Sequence, residues 1–354
     1  MKIVKIGIIG CGRVANHYQT LYKKKKIKNS KIIAVCDLII KKARFLAKQF
    51  KCNFYKTIED LLNSEDIDLI IISTPSGLHY QSCIKALKAN CHVIVEKPIA
   101  LLINEANKIE KLAKLKKLIC CVAYQNRFNP AVEKAFEAIK KNNLGKIINS
   151  SIRIRWCRYQ SYYNDSWHGK WSLDGGVISQ QAIHHLDTMI KFCGLPKKVS
   201  AFSDRRLNKL EAEDTLVGVI KFSNGILGTV EATTAVRPKD YEASITIIGE
   251  KGIIEIGGIA LNKVTKWEIK GQKKIEKKIK KKYSENVSNP YGYSHFRIFN
   301  KVINNILEKK NVSPVPVNEA IKSLKLVHSF YSSIENKKWI NYSSKLANSR
   351  KLGV

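Results

Sequence analysis

No run of the 354-residue sequence reaches the roughly 18 consecutive apolar residues of a membrane helix, so no membrane partner is expected. The opening Met1-Lys2-Ile3-Val4-Lys5 looks briefly like a signal peptide. Lys5 interrupts the apolar run and no small-residue cleavage site follows, so it reads as the first strand of a cytoplasmic protein. No Cys-x-x-Cys pair exists among the nine cysteines. Their odd number and their place in apolar runs argue against a disulfide framework or a zinc site, and no metal is expected. No internal repeat is present. Acid is scarce: 29 Asp and Glu stand against 63 Lys and Arg, a formal charge of +34. Such a charge suits an anionic partner such as nucleic acid. Arginine is scarce too, with 11 among the 63, whereas forked recognition of phosphate favours arginine. The lysines are scattered, with local runs at 23–26, 116–117 and 273–282, as the codons of an AT-rich genome would scatter them. No nucleic-acid partner is therefore expected.

What is present fits two domains, since one core rarely grows to this length. Strand-like runs at 3–9, 32–37, 68–73, 92–96 and 118–123, with a weaker one at 53–55, alternate with helical patterns at 14–26, 40–50, 57–64, 77–89 and 103–116. That alternation predicts a parallel sheet with right-handed crossovers. Thr57-Ile58-Glu59-Asp60 resembles a capping box at the third helix. After Pro130 the pattern changes. A helix at 130–142 precedes strand-like runs at 146–156, 197–204, 214–222, 226–234, 243–249 and 252–257, flanked by helices at 177–193, 294–309 and 318–335. Asn224-Gly225 marks a tight hairpin. The weakly patterned stretch 271–290 is expected to be an exposed loop or edge. The fold class is thus α/β followed by α+β: a Rossmann-type domain over 1–124, then a domain over 125–354 built on an open, mostly antiparallel sheet. A C-terminal helix packing back on the first domain is compatible with this division.

The chemistry starts at the glycine loop. Gly10-x-Gly12-x-x-Ala15 follows the first strand and opens a helix through Arg13 and Val14. Gly10 permits the tight turn, Gly12 leaves room for a pyrophosphate, and the helix N-terminus attracts it. Asp37 ends the second strand, about 20 residues on, where a ribose-binding acid belongs. A carboxylate there repels a 2′-phosphate, so NAD is favoured over NADP. The turn Ser73-Thr74-Pro75, with His79 further on, lies at the carboxyl edge of the sheet, where the nicotinamide half is expected. His92-Val-Ile-Val95 then runs into Glu96-Lys97-Pro98. An amine delivered by a rigid strand to that edge can handle a proton or a developing alkoxide, which makes Lys97 the candidate catalytic lysine. A cis Lys97–Pro98 bond is expected.

In the second half, Gly175-Gly176 precede a helical pattern whose Gln180, His184 and Asp187 are spaced four and three apart, on one face of a helix. His184 is the natural general base near neutral pH, and Asp187 is placed to orient it. His185 lies about 100° round the helix and reads as structural. Arg155 and Arg158, with Tyr163 and Trp167 after them, can bind a carboxylate or diphosphate and stack a base; an exposed sheet face that packs in an oligomer is the equal alternative. His295, before a helix, reads as a cap or core residue.

With Thr74-Pro75-x-x-x-His79, Glu96-Lys97-Pro98, Tyr124-Gln125-Asn126-Arg127-Phe128 and Gly175-Gly176…His184-x-x-Asp187 in this order behind the glycine loop, the chain resembles the Gfo/Idh/MocA oxidoreductases over nearly its whole length. The resemblance implies an NAD(P)-binding Rossmann domain, a sugar- or polyol-binding domain with an open antiparallel sheet, and dimers or tetramers formed through that sheet. It implies Lys97 and His184 as catalytic residues, Glu96 as the nicotinamide-ribose ligand, Gln125 beside the cofactor, and Arg127 and Asp187 at the substrate. Many members carry aspartate where this chain has Gln180; an amide is found in dehydrogenases of nucleotide-linked sugar acids. Trp167-x-Gly169-x-Trp171 before Asp174-Gly175-Gly176 resembles that branch, although Val177 stands where a third glycine is common. The expected function is therefore oxidation of a hydroxyl on a nucleotide-activated amino sugar or uronate by a homodimer or homotetramer. A free polyol or sugar is the alternative substrate, and a non-catalytic dinucleotide or nucleic-acid binder is the rival from another class.

Overall fold

A computed structural model describes residues 3–354. The chain divides into two compact units. The first runs through Gln125 and takes back Tyr293–Ile321; the second comprises Asn126–Gly292 and Lys322–Val354. The return of a segment near residue 300 to the first unit has no signal in the local pattern, because α-helical periodicity says which face is buried and not against what.

In the first unit, β1 (Val4–Ile9), α1 (Arg13–Lys23), β2 (Ser30–Cys36), α2 (Ile40–Phe50), β3 (Asn53–Tyr55), α3 (Ile58–Ser64), β4 (Leu69–Ile72), α4 (His79–Lys88), β5 (His92–Val95), α5 (Ile103–Leu115) and β6 (Cys120–Val122) alternate as expected. The strands form one parallel sheet in the order β3-β2-β1-β4-β5-β6. That order reverses between β1 and β4, which places the ligand crevice of a doubly wound sheet at their carboxyl ends. All four residues of β4 are buried, as in parallel strands covered on both faces. Thr57 caps α3, its Oγ1 accepting from the Asp60 amide at 3.1 Å.

The second unit adds α6 (Pro130–Lys140), β7 (Ile147–Arg155), α7 (Gln160–Tyr163), α8 (Val177–Gln180), α9 (Ile183–Cys193), β8 (Pro196–Asp204), β9 (Thr215–Phe222), β10 (Leu227–Thr233), β11 (Glu242–Gly249), β12 (Gly252–Gly257), β13 (Lys263–Ile269) and α10 (Glu276–Tyr283). Then follow α11 (His295–Leu307), which packs on β1 of the first unit, α12 (Val317–Asn336), within which the division between units falls, and β14 (Ile340–Asn341). The sheet order is β13-β12-β11-β7-β10-β9-β8-β14, antiparallel except for the β7–β10 pair. Asn224-Gly225 joins β9 to β10, with Gly225 at φ +89°. The stretch 271–290, expected as loop, carries α10; its one buried side chain, Ile279, gives too faint an apolar stripe to read among so many lysines.

A second difference matters more. The helix expected over 177–193 is two helices, α8 and α9. The amides of Gln181 and Ala182 both donate to the Val177 carbonyl, at 3.0 and 2.9 Å. The second of these spans five residues, a widened turn of the kind often found at functional sites. The spacing of four between Gln180 and His184 therefore does not carry the usual single-face geometry.

Candidate functional site

Gly10 and Gly12 play different parts. Gly10 has φ +94°, and a Cβ on it would lie 2.6 Å from the Ser73 carbonyl group and 2.7 Å from the Thr74 nitrogen. The glycine loop thus packs directly against the end of β4. Ser73, expected at the cofactor, donates its hydroxyl to the Gly10 carbonyl at 2.8 Å and so braces the loop. A Cβ on Gly12 would meet nothing within 4 Å, which is the open space a pyrophosphate needs at the start of α1. Arg13 is exposed and Val14 half-buried in that first turn.

Asp37 is half-buried. Its carboxylate accepts from the Cys11 amide and the Ile39 amide, each at 2.8 Å. Two backbone donors leave an ionised carboxylate further acceptor sites for ribose hydroxyls.

His79 departs from expectation. It is fully buried, its Nδ1 lies 2.6 Å from the Pro98 carbonyl and its Nε2 3.0 Å from the Thr74 carbonyl. A neutral ring can donate to only one of these carbonyls; lying between both, His79 packs as a brace where the turns after β4 and β5 meet. Its burial pushes the ring below the usual histidine range. The Thr74 Oγ1 and the Gln125 Oε1 are buried without a hydrogen-bond partner. Polar groups so placed fit a ligand that would satisfy them.

Glu96, at the end of β5, is buried with a charge. Tyr18 donates its hydroxyl to Glu96 Oε1, and His295 Nε2 lies 3.2 Å from the same oxygen. Burial alone would push this carboxyl up; the hydrogen bonds from His295 and Tyr18 and the neighbouring charge of Lys97 hold it at about 2. His295 makes edge contacts with His17 and Tyr18, and Tyr18 with Phe299. Sequence reading gave His295 no such role and passed over Tyr18, because 199 residues separate His295 from Glu96 and no local signal spans that distance. Lys97 follows Glu96, half-buried between buried neighbours, and the Lys97–Pro98 bond is cis as expected.

In the second unit, Gln180 and His184 are half-buried while nearly every other residue from Val177 to Cys193 is buried. With Lys191, which is also half-buried, they are the accessible polar groups of that helical pair. His185 is buried with neither ring nitrogen partnered, and burial pushes it down to about 3, as expected of a structural histidine. Asp187, expected to orient His184, takes both hydrogen bonds of a forked pair from Arg127, Nε and Nη2 each at 2.6 Å. Both side chains are buried. The two residues expected at the substrate thus anchor each other, α9 to the segment before α6.

Arg155 also departs from expectation. Ile152 and Ile154 are buried under the helices, so alternation along β7 turns Arg155 to the opposite face. There Glu231 accepts its Nε and Nη2 at 2.6 and 2.7 Å, and Glu242 its Nη1 at 3.0 Å. In its own chain it lies across the sheet from α9. Arg158 sits just past the strand, 2.9 Å from Asp240 and over the rings of Trp156 and Tyr162. Tyr163 is buried, sharing a hydrogen bond with Thr234 at 2.7 Å, and burial pushes its hydroxyl up to about 12. Trp167 lies against His168 in a tilted contact with centroids 3.7 Å apart, His168 lies 4.2 Å from Tyr162, and His168 Nδ1 is 2.5 Å from Asp165. His168 had no sequence signal apart from its place between two tryptophans.

A dinucleotide-type sheet with a glycine loop, an acid after β2, and a carboxylate and an amine after β5 defines a nicotinamide-dependent oxidoreductase. The chain belongs to the Gfo/Idh/MocA oxidoreductase family: the NAD-binding Rossmann-fold signature matches residues 4–124 and the C-terminal alpha/beta domain matches residues 136–342. It is similar to the WlbA dehydrogenase from Bordetella pertussis, solved with NADH and UDP-GlcNAcA, at 26% identity and TM-score 0.89 over 96% of this chain and 98% of that one. It is similar to the WlbA dehydrogenase from Chromobacterium violaceum, solved with the same two ligands, at 28% identity and TM-score 0.87 over 96% of each chain. It is also 27% identical to the scyllo-inositol 2-dehydrogenase (NAD(+)) of Bacillus subtilis over 278 residues, covering 76% of this chain and 78% of that one. Among the described residues no helix is long and apolar enough to cross a membrane.

The two glycines separate fold from ligand. Gly10→Ala is expected to cost about 2–4 kcal/mol in urea unfolding, from left-handed strain and the backbone collision. Gly12→Ala is expected to change stability by less than about 1 kcal/mol and to weaken NAD at least ~10-fold in a fluorescence titration. Asp187→Asn is expected to destabilise by about 3–5 kcal/mol, because it leaves the Arg127 charge buried without its carboxylate; an Arg127→Met/Asp187→Leu double variant is expected to recover much of that loss.

Proposed function

We propose that this NAD-dependent oxidoreductase oxidises a hydroxyl of a nucleotide-activated amino sugar or uronate, with Lys97, Gln180 and His184 as its reacting residues. The observation that carries this reading is the pair of half-buried polar side chains, Gln180 and His184, on a helical segment buried at every other position but Lys191, in a family whose relatives include a D-glucoside 3-dehydrogenase and a scyllo-inositol 2-dehydrogenase.

The residues present fit the dinucleotide. Gly10, Gly12, Arg13 and Val14 at the start of α1 would hold its pyrophosphate, Asp37 the adenosine ribose, Glu96 the nicotinamide ribose, and Thr74, Pro75 and Gln125 the nicotinamide half. When bound, NAD supplies the acceptor for the hydride that leaves the sugar carbon. His184 takes the hydroxyl proton as general base, and the Lys97 ammonium stabilises negative charge building on that oxygen. Gln180 can hold a sugar hydroxyl through its amide but cannot share a proton, so the proton falls to His184.

Two observations support a nucleotide sugar. The likeness to the two WlbA dehydrogenases extends over 96% of the chain. Arg158 lies beside the ring cluster of Tyr162, His168 and Trp167, a combination that suits a charged, ring-bearing substrate. A free polyol is the second reading, favoured by the similarity to the scyllo-inositol 2-dehydrogenase. The exposed face that holds Phe202, Val217, Val219 and Leu227 supports a homo-oligomer formed through the large sheet.

NADH absorbance with a panel of UDP-sugar acids, UDP-amino sugars and free inositols decides between the readings. Turnover of UDP-linked sugars alone is expected. Turnover of free inositols alone would replace the first reading by the second. Lys97→Met is expected to keep NAD affinity and lower kcat/KM by about 10²–10³, and His184→Asn by about 10²–10⁴. Full turnover by Lys97→Met would discard the mechanism.

A further inference from the structure

One buried carboxyl in the second unit has no part in the chemistry above. Glu213 stands two residues before the start of β9 and is 3% exposed. Its side chain and backbone, with Tyr331 of α12, hold three consecutive amides where α8 begins. The Gly176 amide donates to the Tyr331 hydroxyl at 2.9 Å, and that hydroxyl donates to Glu213 Oε1 at 3.1 Å. The Val177 amide donates to the Glu213 carbonyl at 3.0 Å, and the Ile178 amide to Glu213 Oε1 at 3.1 Å. A Cβ on Gly176 would fall 2.1 Å from Glu213 Oε2, so the carboxyl fills the space that the glycine leaves. That Oε2 is buried and has no hydrogen-bond partner. Four residues past Gly176 comes Gln180, and four further His184.

We infer that Glu213, with Tyr331, is a positioning residue for Gln180 and His184, and that the proton on its carboxyl sets how firmly the Gly175-Gly176 turn is held. The inference rests on the assignment of those two residues to the substrate. One carboxyl oxygen receives both donors while the other faces Gly176 unpaired, so a proton on the unpaired oxygen removes the buried charge and leaves both accepted hydrogen bonds in place. Loss of the proton leaves a buried charge with two neutral donors. The groups facing it are Tyr331 from α12, Asp214 beside it in the chain, and Asp174 from the turn before α8, which acts on the Tyr331 hydroxyl; none is a cation. Burial accordingly pushes the carboxyl up to about 7, against the downward pull of the Ile178 and Tyr331 hydrogen bonds.

The test uses the full-length chain and the sugar that the wild type turns over. From roughly pH 5.5 to 9, Glu213→Gln, which keeps the volume and one acceptor but cannot ionise, is expected to lose one inflection near neutrality from the kcat/KM profile while KM for NAD stays within about twofold. Thermal unfolding gives a second readout. The folded carboxyl keeps its proton to about 7 and the unfolded one to its ordinary value of 4.5, so native stability falls as pH rises between the two. The Tm of Glu213→Gln relative to wild type is therefore expected to rise across that window. A merely structural glutamate would give a Tm difference independent of pH and superimposable profiles, and that result overturns the inference. Should Glu213→Gln not fold, Tyr331→Phe replaces it: removing one donor to the charged form is expected to move the wild-type inflection to higher pH, and an unmoved inflection overturns the inference. A wild type that oxidises no sugar would instead remove the functional reading itself, a result distinct from an active wild type whose profile the variants leave unchanged.

Discussion

The first unit depends on keeping a carboxylate charged inside a nearly dry interior at the end of a central strand. Glu96 is buried, and the chain surrounds it with a tyrosine hydroxyl, an imidazole and the next residue's ammonium, so the charged form wins over the desolvation penalty. Those partners come from α1 and α11. Satisfying this one group therefore explains why a helix near residue 300 is recruited to a domain that otherwise ends near residue 125. It also fixes the backbone from which Lys97 projects. His79 works to the same end from the other side, buried between the Thr74 and Pro98 carbonyls where the turns after β4 and β5 meet.

The architecture was legible because it rests on short-range periodicity. Apolar runs of four to seven residues alternating with helical stripes predict the parallel sheet, and the glycine loop and Asp37 are read from spacing alone. The motif assigns Gly10 and Gly12 different parts, and the structure separates them: a Cβ on Gly10 would strike the protein's own backbone, one on Gly12 would meet open space. The hydrogen-bond partners of the candidate site residues were poorly legible. Asp187 was paired by reading with His184, three positions away on a helix; its forked partner Arg127 lies 60 residues away. For Arg155 the sequence leaves a substrate ligand and an exposed sheet face as equal readings. Its two carboxylates, on β10 and β11, become visible only once strand order is known. A widened turn at Ala182 is invisible to a pattern that assumes constant pitch.

Glu96 and Glu213 show how the same side chain, equally hidden, is driven in opposite directions. Desolvation raises both carboxyls. At Glu96 an imidazole, a hydroxyl and a neighbouring ammonium outweigh it and favour the ionised form. At Glu213 only neutral donors are present, one oxygen is left without a partner, and the nearest charges are acidic. The difference follows from the coulombic terms available in a medium of low dielectric, where a cation a few ångströms away counts for far more than a neutral dipole. A fixed charge suits a residue proposed as the ribose ligand, which would present the same face on every cycle. A carboxyl poised near neutrality suits one that holds a glycine turn whose grip varies with its proton. The chain's excess of 34 positive charges reaches neither setting by itself: the lysines are mostly at the surface and screened, so the local partners of each carboxyl decide its state.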